Sequence, residues 1–358
     1  MGMMDLLTDI RPSSALAPHA VAPHAVAPHA VAQNPLPRGR AAGAGGRRSV
    51  SRPAVLARQR TLKEAIGCVG VGLHGGREVS LTLHPAAPGT GIRFRRGDLG
   101  VEIPARFDAV ADTRLCTELA AADRPEVTIG TIEHVMAALA GCGIDNVVVE
   151  VDGPEVPILD GSAAPFVFLI DCAGVVTEEA PRRVIEILRP VEVRAGDAFA
   201  RLLPRDPDGA EAAGELDMAF SIAFDAPAIG RQSLSLCLTE GSFRQELAHA
   251  RTFTLAAEIE GLRASGRARG GSLENAVVVD GAQVLNPGGL RAPDEFVRHK
   301  LLDAVGDLAL AGAVLRGRFV AHCSGHALNN RLLRALFASA DAYREIAPAA
   351  SARLSAAA

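Results

Sequence analysis

One segment, DEFVRHKLLDAVGDLALAG (294–312), constrains the fold more than any other part of the chain. His299, Asp303 and Asp307 are spaced four residues apart, so a helix would carry all three side chains on one face. The residues between them are mostly apolar, which predicts a largely buried helix that ends at Gly312. Because charged groups are costly to bury alone, this face needs partners. A salt-bridge network would supply them, and so would a metal ion, since an imidazole and a carboxylate one turn apart can chelate one ion.

A second segment, TIEHVMAALAG, carries the pair Glu133–His134 at the start of an apolar stretch. The pattern predicts a helix that Gly141 or Gly143 closes, followed by a strand over 146–151. Taken alone, the pair is typical of the start of a surface helix. In a metal site, His134 could bind the ion while Glu133, near a helix N-terminus that favours an anion, takes a proton from water.

The third segment is GHALNN (325–330), which follows a predicted strand, FVAHC (319–323), and precedes a predicted helix. We therefore expect His326 in a loop, where its side chain could act on a substrate; a capping or core histidine is the alternative. The three segments together supply two histidines and one carboxylate for a metal ion, with a glutamate, a lysine and a histidine to spare. Catalytic zinc typically takes three protein ligands and keeps a fourth position for water. The combination therefore indicates a catalytic metal site.

Composition narrows the possible functions. The chain has 358 residues, of which 48% are hydrophobic, and a net charge of −4, which gives no electrostatic reason to expect nucleic-acid binding. No apolar run reaches the roughly 18–20 residues that cross a bilayer, so we expect a soluble protein without a transmembrane segment. Six scattered cysteines without a CxxC pair predict reduced thiols in a cytosolic enzyme. The only lysines are Lys63 and Lys300, so a lysine beside His299 indicates that a compact ammonium group is needed there.

The N-terminal residues 1–57 differ from the rest of the chain. The segment APHAVAPHAVAPHAVA (17–32) repeats every five residues and contains His19, His24 and His29. We predict a disordered extension, because this composition cannot bury a core. A metal-scavenging tract and an Arg-rich organelle transit peptide are the alternatives.

Strand and helix patterns mix in both halves of the chain, which predicts an α+β architecture with two related layers. Strands are expected around 184–203 and 216–224, and a helix, a glycine turn and a strand over 249–280. The predicted boundaries give a first domain at 58–178, a second domain at 179–345 and a C-terminal tail at 346–358.

Five segments occur in the order found in the UDP-3-O-acyl-N-acetylglucosamine deacetylases: TIEHVMAALAGCGIDNVVVEVDGPEVPILDGSAAPFV, ARTF, RGGSLENAVVVD, EFVRHKLLDAVGDL and SGHALNN. From about residue 60 to about residue 336 the chain resembles this zinc-dependent family of lipid A biosynthesis. The resemblance implies two related α/β sandwich domains with the active site at their interface. It also implies a monomeric, cytoplasmic bacterial enzyme that removes the N-acetyl group of an acylated UDP-sugar and releases acetate.

The resemblance assigns the chemistry to named residues. It implies that His134, His299 and Asp303 bind one zinc ion, with iron as the alternative metal. Glu133 matches the general base that activates water. The remaining catalytic matches are His326 as a protonated imidazole, Asp307 as the carboxylate that orients it, and Lys300 and Thr252 as groups that stabilise the oxyanion or bind near the metal.

The same resemblance predicts how the substrate is held. Residues from about 253 to about 280 form an insert that encloses the fatty chain. The residues expected to line the substrate cavity are His74, Leu115, Cys116, Phe253 and Gly271. Three positions depart from the family pattern: Arg267 stands where an apolar residue is expected, Cys323 where a lysine is common, and Ala198 where another basic residue is common. These departures leave the chemistry intact but change the expected recognition of the acyl chain and the diphosphate.

Two other functions fit parts of the pattern. A zinc peptidase is disfavoured because HExxH and related signatures are absent. A catalytically silent sugar-nucleotide binding protein is disfavoured because every matched catalytic position is retained. A direct assay of acetate release distinguishes both from a deacetylase.

Overall fold

Runs of strands are interrupted by single helices in this computed structural model, which describes residues 57–205 and 215–346. The predicted N-terminal extension and C-terminal tail therefore fall outside the described residues, except for residue 57 of the extension and residue 346 of the tail. No helix in the described ranges is long and apolar enough to cross a membrane. The mixture of helices with several sheets confirms the α+β fold class.

The elements of the described residues are numbered in chain order. The strands are β1 (Arg58–Leu62), β2 (Ile66–Val71), β3 (Glu78–Pro85), β4 (Ile92–Arg96), β5 (Val101–Pro104), β6 (Val110–Asp112), β7 (Glu118–Ala120), β8 (Thr128–Ile129), β9 (Val147–Val151), β10 (Val175–Pro181), β11 (Val184–Ile187), β12 (Val191–Ala195), β13 (Ala198–Leu203), β14 (Leu216–Ala223), β15 (Arg231–Leu238), β16 (Phe253–Leu255), β17 (Val277–Asp280), β18 (Gln283–Val284), β19 (Val314–His322) and β20 (Tyr343–Ile346). The helices are α1 (Glu133–Gly141), α2 (Ala164–Ala173), α3 (Glu240–Ser242), α4 (Ala256–Ala264), α5 (Glu295–Ala309) and α6 (His326–Ala338).

The first half of the chain builds a five-stranded sheet in the order β2-β3-β9-β4-β5. Val79, Leu81 and Leu83 alternate along β3 and are buried, as expected for a strand with one face on the core. Only the β4–β9 pair is parallel; the others are antiparallel. Helix α1 is buried along nearly its whole length, which explains why its sequence is apolar all round.

The second half builds a seven-stranded sheet in which β19 is the central strand. Strand β19 pairs in parallel with β11 and β14 and antiparallel with β13. Helix α5 packs on β14 and β15, and α6 packs on β12 and β13. Each half therefore carries helices on a mixed sheet, which is the layered arrangement that the sequence predicts.

The two halves meet where α1 packs against α5. Gly306 lies at the closest approach, because a Cβ at this position would stand only 2.1 Å from the Glu133 carbonyl oxygen. A residue without a side chain is therefore required on α5 at this point. The close approach brings the start of α1 next to the middle of α5, where the candidate site lies.

Some predicted boundaries were wrong. Helix α5 ends at Ala309 instead of Gly312, because the chain turns over the next three residues and Gly312 adopts a positive φ of 74°. Helix α6 begins at His326 itself, so this histidine is not in a loop. The segment 249–280 contains an additional strand, β16, which pairs in parallel with β17 around the crossover helix α4. Such a short parallel strand is fixed by its partner and has no pattern of its own. The boundary proposed at 178/179 falls within β10, which pairs with β1, and remains a prediction.

Candidate active site

Three buried side chains meet between α1 and α5. His134 comes from the first turn of α1, and His299 and Asp303 lie one turn apart on α5. One ligand atom from each lies within 4.8 Å of the others. Oδ1 of Asp303 is 3.6 Å from Nε2 of His134 and 3.4 Å from Nε2 of His299.

These residues fit a tetrahedral metal ion. Bonds of about 2.0–2.2 Å to zinc would separate neighbouring ligand atoms by about 3.4 Å, close to the two distances observed. Oδ1 of Asp303 is buried and has no hydrogen-bond partner among the described residues. A buried carboxylate oxygen without a partner is costly, and a cation at this point would satisfy it.

Neighbouring groups fix the orientation and protonation states of His299 and Asp303 in a way that favours a cation. Nδ1 of His299 lies 3.0 Å from the carbonyl oxygen of Ala250, which fixes the ring so that Nε2 points to the cluster. Burial, together with His134 and Lys300, lowers the pKa of His299 to about 4, so that its ring is neutral. Lys300 donates a 2.8 Å hydrogen bond to Oδ2 of Asp303, which leaves Oδ1 available. Although burial opposes it, His299, which is charged only in acid, and the Lys300 ammonium hold the pKa of Asp303 well below its usual range.

Glu133 is held beside this cluster. Its Oε2 accepts a 3.0 Å hydrogen bond from the backbone N–H of Thr117, and its Oε1 is 3.9 Å from Nε2 of His326. Burial raises the pKa of Glu133, and the charges of His326 and His134 oppose this rise. A carboxylate with a raised pKa is a stronger proton acceptor than an ordinary glutamate.

His326 and Asp307 form a hydrogen-bonded pair behind Glu133. Nδ1 of His326 lies 2.9 Å from Oδ2 of Asp307, so that Nε2 faces Glu133. Two further donors hold the Asp307 carboxylate: the Asn329 amide at 2.8 Å and the Thr117 hydroxyl at 2.6 Å. Burial alone would lower the pKa of His326, but the charges of Asp307 and Glu133 outweigh it and raise the pKa to about 9. The ring is therefore a protonated imidazole at neutral pH.

The residues expected to line the substrate cavity lie at different distances from the cluster. Cys116 is buried, and Leu115, in a left-handed conformation with φ 73°, directly precedes it in the loop whose Thr117 holds Glu133. The Phe253 ring stacks edge-on to His299 with ring centres 6.2 Å apart. Thr252 is half-buried and is fixed by backbone hydrogen bonds to Gly161 and Val277.

His74 and Gly271 belong to a second wall. The insert that contains Gly271 packs on the turn that contains His74, through a 3.0 Å hydrogen bond from Gly270 N–H to the Leu73 carbonyl. His74 is buried, and neither ring nitrogen has a hydrogen-bond partner among the described residues. Burial lowers the pKa of His74, and the charges of Arg267 and His326 add to this effect. The Glu155 carboxylate opposes this lowering, and the effect of His326 shows that His74 lies close enough for the charge of that ring to act on it.

The sequence analysis did not identify three residues that support the site. For Asn329 a signal was present, because it lies one helical turn after His326. Thr117 had none, since only the tertiary fold brings it to Asp307 and Glu133. Arg251 was also missed: its guanidinium and backbone N–H bind the buried carboxylate of Glu295, which anchors the start of α5.

The three departures from the family pattern have different environments. Arg267 is half-buried near His74 and Glu118, and its charge opposes the rise that burial causes in the pKa of Glu118. Ala198 is buried at the start of β13. Cys323 follows β19 with φ 47°, and its Sγ is 3.5 Å from Nε2 of His322.

Comparisons of the sequence with a family model and with individual proteins all point to one family of deacetylases. Residues 59–338 match the model of the LpxC family, UDP-3-O-acyl N-acetylglycosamine deacetylase. A UDP-3-O-acyl-N-acetylglucosamine deacetylase of Anaeromyxobacter sp. (strain Fw109-5) is 49% identical over 288 residues, which are 80% of this chain and 91% of that protein. The protein of the same name from Anaeromyxobacter dehalogenans (strain 2CP-C) is 51% identical over 288 residues, 80% of this chain and 90% of the relative.

Proposed function

Because the chain belongs to the UDP-3-O-acyl N-acetylglycosamine deacetylase family, we propose that His134, His299 and Asp303 hold one zinc ion and that the residues around it hydrolyse an amide. The enzyme removes the N-acetyl group from UDP-3-O-acyl-N-acetylglucosamine in lipid A biosynthesis, and the products are the free amine and acetate. The observation that best supports the metal is the buried, unpartnered Oδ1 of Asp303 between two imidazole nitrogens.

The chemistry requires a base, an acid and a charge that stabilises the oxyanion. When bound, zinc lowers the pKa of water and polarises a carbonyl group. Glu133 accepts a proton from the water that attacks the amide carbon, because its carboxylate is buried and its pKa is raised. His326 then donates its Nε2 proton to the amide nitrogen as the C–N bond breaks, and the electron pair of that bond leaves with the amine.

Two further groups support these steps. Asp307 keeps His326 protonated and fixes the direction of its ring. Lys300 remains charged beside the cluster, because Asp303 outweighs the effect of burial and raises the pKa of Lys300. We assign Lys300 and Thr252 to stabilisation of the negative charge that develops on the amide oxygen.

We also propose how the substrate lies. His74, Leu115, Cys116, Phe253 and Gly271 line the cavity for the acylated sugar, and the insert over 253–280 encloses the acyl chain. A UDP-linked substrate supports action in the cytoplasm. The proposed ligands, base and acid lie together within a single chain, so the chemistry needs no residue from a second copy, and we propose a monomer.

Acetate release tests this function. The purified protein is incubated with the acylated UDP-sugar before and after treatment with a chelator, and then with added Zn²⁺ or Fe²⁺. We expect acetate in equal amount to the free amine, loss after chelation and recovery with zinc. Glu133→Gln serves as the matched variant, which should retain zinc and lose most activity. A wild-type protein that releases no acetate would overturn the proposed function, and full activity after complete metal removal would overturn the role of zinc.

A further inference from the structure

Exposed hydrophobic side chains are concentrated at one place. Of the eight large hydrophobic residues that are exposed in the described parts of the chain, four lie close to the insert: Val69 at 60%, Val71 at 39%, Leu273 at 43% and Leu285 at 42%. Val69 and Val71 project from the same face of β2, which is an edge strand. Isolated exposed apolar residues are ordinary, but a group of them marks an interaction surface.

Backbone contacts join these residues into one surface. A Cβ at Gly270 would lie 2.9 Å from Cγ1 of Val71, so the insert touches β2. Leu273 follows three residues later. The Asn286 amide donates a 2.8 Å hydrogen bond to the Leu273 carbonyl, which brings the neighbouring Leu285 to the same place.

Three exposed arginines border this surface, Arg77, Arg263 and Arg269, together with two exposed glutamates, Glu78 and Glu274. None of the arginines forms an ion pair within the described residues; some other exposed arginines, such as Arg189, bind carboxylates, and others, such as Arg318, do not. Arg269 connects the three. Its Cβ is 2.8 Å from the point where a Cβ at Gly76 would stand, and Gly76 precedes Arg77. Its Nη2 is 3.2 Å from the corresponding point at Gly266, and the N–H of Gly266 donates a hydrogen bond to the Arg263 carbonyl. We call the four apolar residues and three arginines the rim face.

The rim face adjoins a proposed substrate wall. Arg77 ends the turn that carries His74, and Leu273 follows the glycines of the insert that packs on this turn. This position connects the surface with the acyl chain, and that connection rests on the proposed function. An acylated sugar nucleotide is amphipathic, so it partitions between water and lipid surfaces.

We propose that the rim face docks on an anionic lipid bilayer, with the acyl insert facing the membrane. Arginines without carboxylate partners can bind lipid phosphates, while the neighbouring valines and leucines enter the boundary between headgroups and acyl chains. A second copy of the chain is a poorer partner, because a two-fold contact would place the same unpaired arginines opposite each other.

Vesicle sedimentation at low salt tests this docking. The full-length enzyme is mixed with vesicles of phosphatidylcholine alone or with one-third phosphatidylglycerol. We expect binding to the anionic vesicles, weak binding to the neutral ones, and loss of binding at high salt. Arg77→Glu and Val69→Asp should each weaken binding at least about tenfold, while the controls Arg318→Glu on β19 and Leu99→Ser between β4 and β5 should bind like the wild type.

Deacetylation of a short-chain substrate in solution is measured on the same samples. Arg77→Glu and Val69→Asp should retain wild-type turnover and zinc content, which shows that they fold. Binding that does not depend on anionic lipid, or that the rim variants leave unchanged, would overturn the proposal. Concentration-dependent dimerisation that both rim variants abolish would assign the surface to a second copy and would also overturn it. An enzyme that deacetylates but does not bind vesicles contradicts only the docking, whereas one that binds vesicles without deacetylating contradicts only the proposed function.

Discussion

The hydroxyl of Thr117 donates a 2.6 Å hydrogen bond to Oδ1 of Asp307, a residue 190 positions further along the chain. The backbone N–H of Thr117 also binds Glu133. One residue of the first half therefore positions both the proposed base and the carboxylate behind the proposed acid. The proposed active site therefore depends on the contact between the two halves as well as on the proposed metal ligands.

Thr117→Val should test this link, because valine has nearly the same shape but no hydroxyl. The Asp307 carboxylate would lose one charged hydrogen bond, which is typically worth about 1.5–3 kcal/mol. We expect kcat/KM to fall about tenfold or more with zinc content unchanged. The exposed Thr177 on β10 offers a control in Thr177→Val, which should keep full activity. Equal kinetics for the two variants would show that Thr117 has no positioning role.

The pH dependence of turnover should report the His326–Asp307 pair. The acid must be protonated, so its pKa of about 9 predicts that turnover falls as the pH rises through about 9. Asp307→Asn removes the largest charge that raises this pKa, so the basic limb should move down by about one pH unit or more. Asp341→Asn, on an exposed pair with Arg189, should leave the profile unchanged. A basic limb that does not move in Asp307→Asn would exclude His326 as the acid.

Gly306→Ala should disrupt the packing of α1 on α5. The added methyl group would meet the Glu133 carbonyl at 2.1 Å, and backbone cannot yield as a flexible side chain does. We expect a loss of about 1–3 kcal/mol in the free energy of unfolding, together with weaker zinc binding. Gly261→Ala on α4 is the control, since its Cβ meets no atom within 4 Å and alanine favours a helix. Urea unfolding and zinc titration measure both effects, and a Gly306→Ala protein as stable as the wild type would contradict the close packing.

Removal of one partner of the buried pair Arg251–Glu295 should be strongly destabilising. Glu295→Ala would leave the Arg251 guanidinium buried without its partner, at a cost of about 3–5 kcal/mol. The exposed pair Arg183–Glu345 provides the comparison: Glu345→Ala should cost less than about 1 kcal/mol. Although burial opposes it, the hydrogen bonds from Arg251 and Arg291 lower the pKa of Glu295, so the wild-type contribution should be present near neutral pH and fall as the carboxylate is protonated in acid. Similar unfolding free energies for the two variants would contradict this assignment.

The helices and strands that could be predicted are those in which polar or apolar residues recur at a short, regular spacing. The four-residue spacing on α5 was sufficient to place His299 and Asp303 on one face of a buried helix, and the apolar run after Glu133 predicted a helix at His134. The two-residue alternation of buried side chains in β3 is a pattern of the same local kind. Such patterns are local, and each helix or strand carries its own.

Contacts between distant segments could not be predicted in this way. Thr117 has no periodic signal, and β16 is a three-residue strand that exists only because β17 pairs with it. Arg251 and Glu295 are both ordinary surface residues by composition, and only the fold buries them together. His326 was expected in a loop, yet it is the first residue of α6, because glycine before it can end an extended segment and start a helix.

The central claim is that His134, His299 and Asp303 bind the catalytic zinc, and elemental analysis tests it most directly. The wild type, Asp303→Ala and the exposed control Asp341→Ala are purified in parallel, and their folding is compared by circular dichroism. We predict about one zinc per chain in the wild type and the control, and little zinc in Asp303→Ala with its fold retained. Undiminished zinc in a folded Asp303→Ala protein would contradict the metal site.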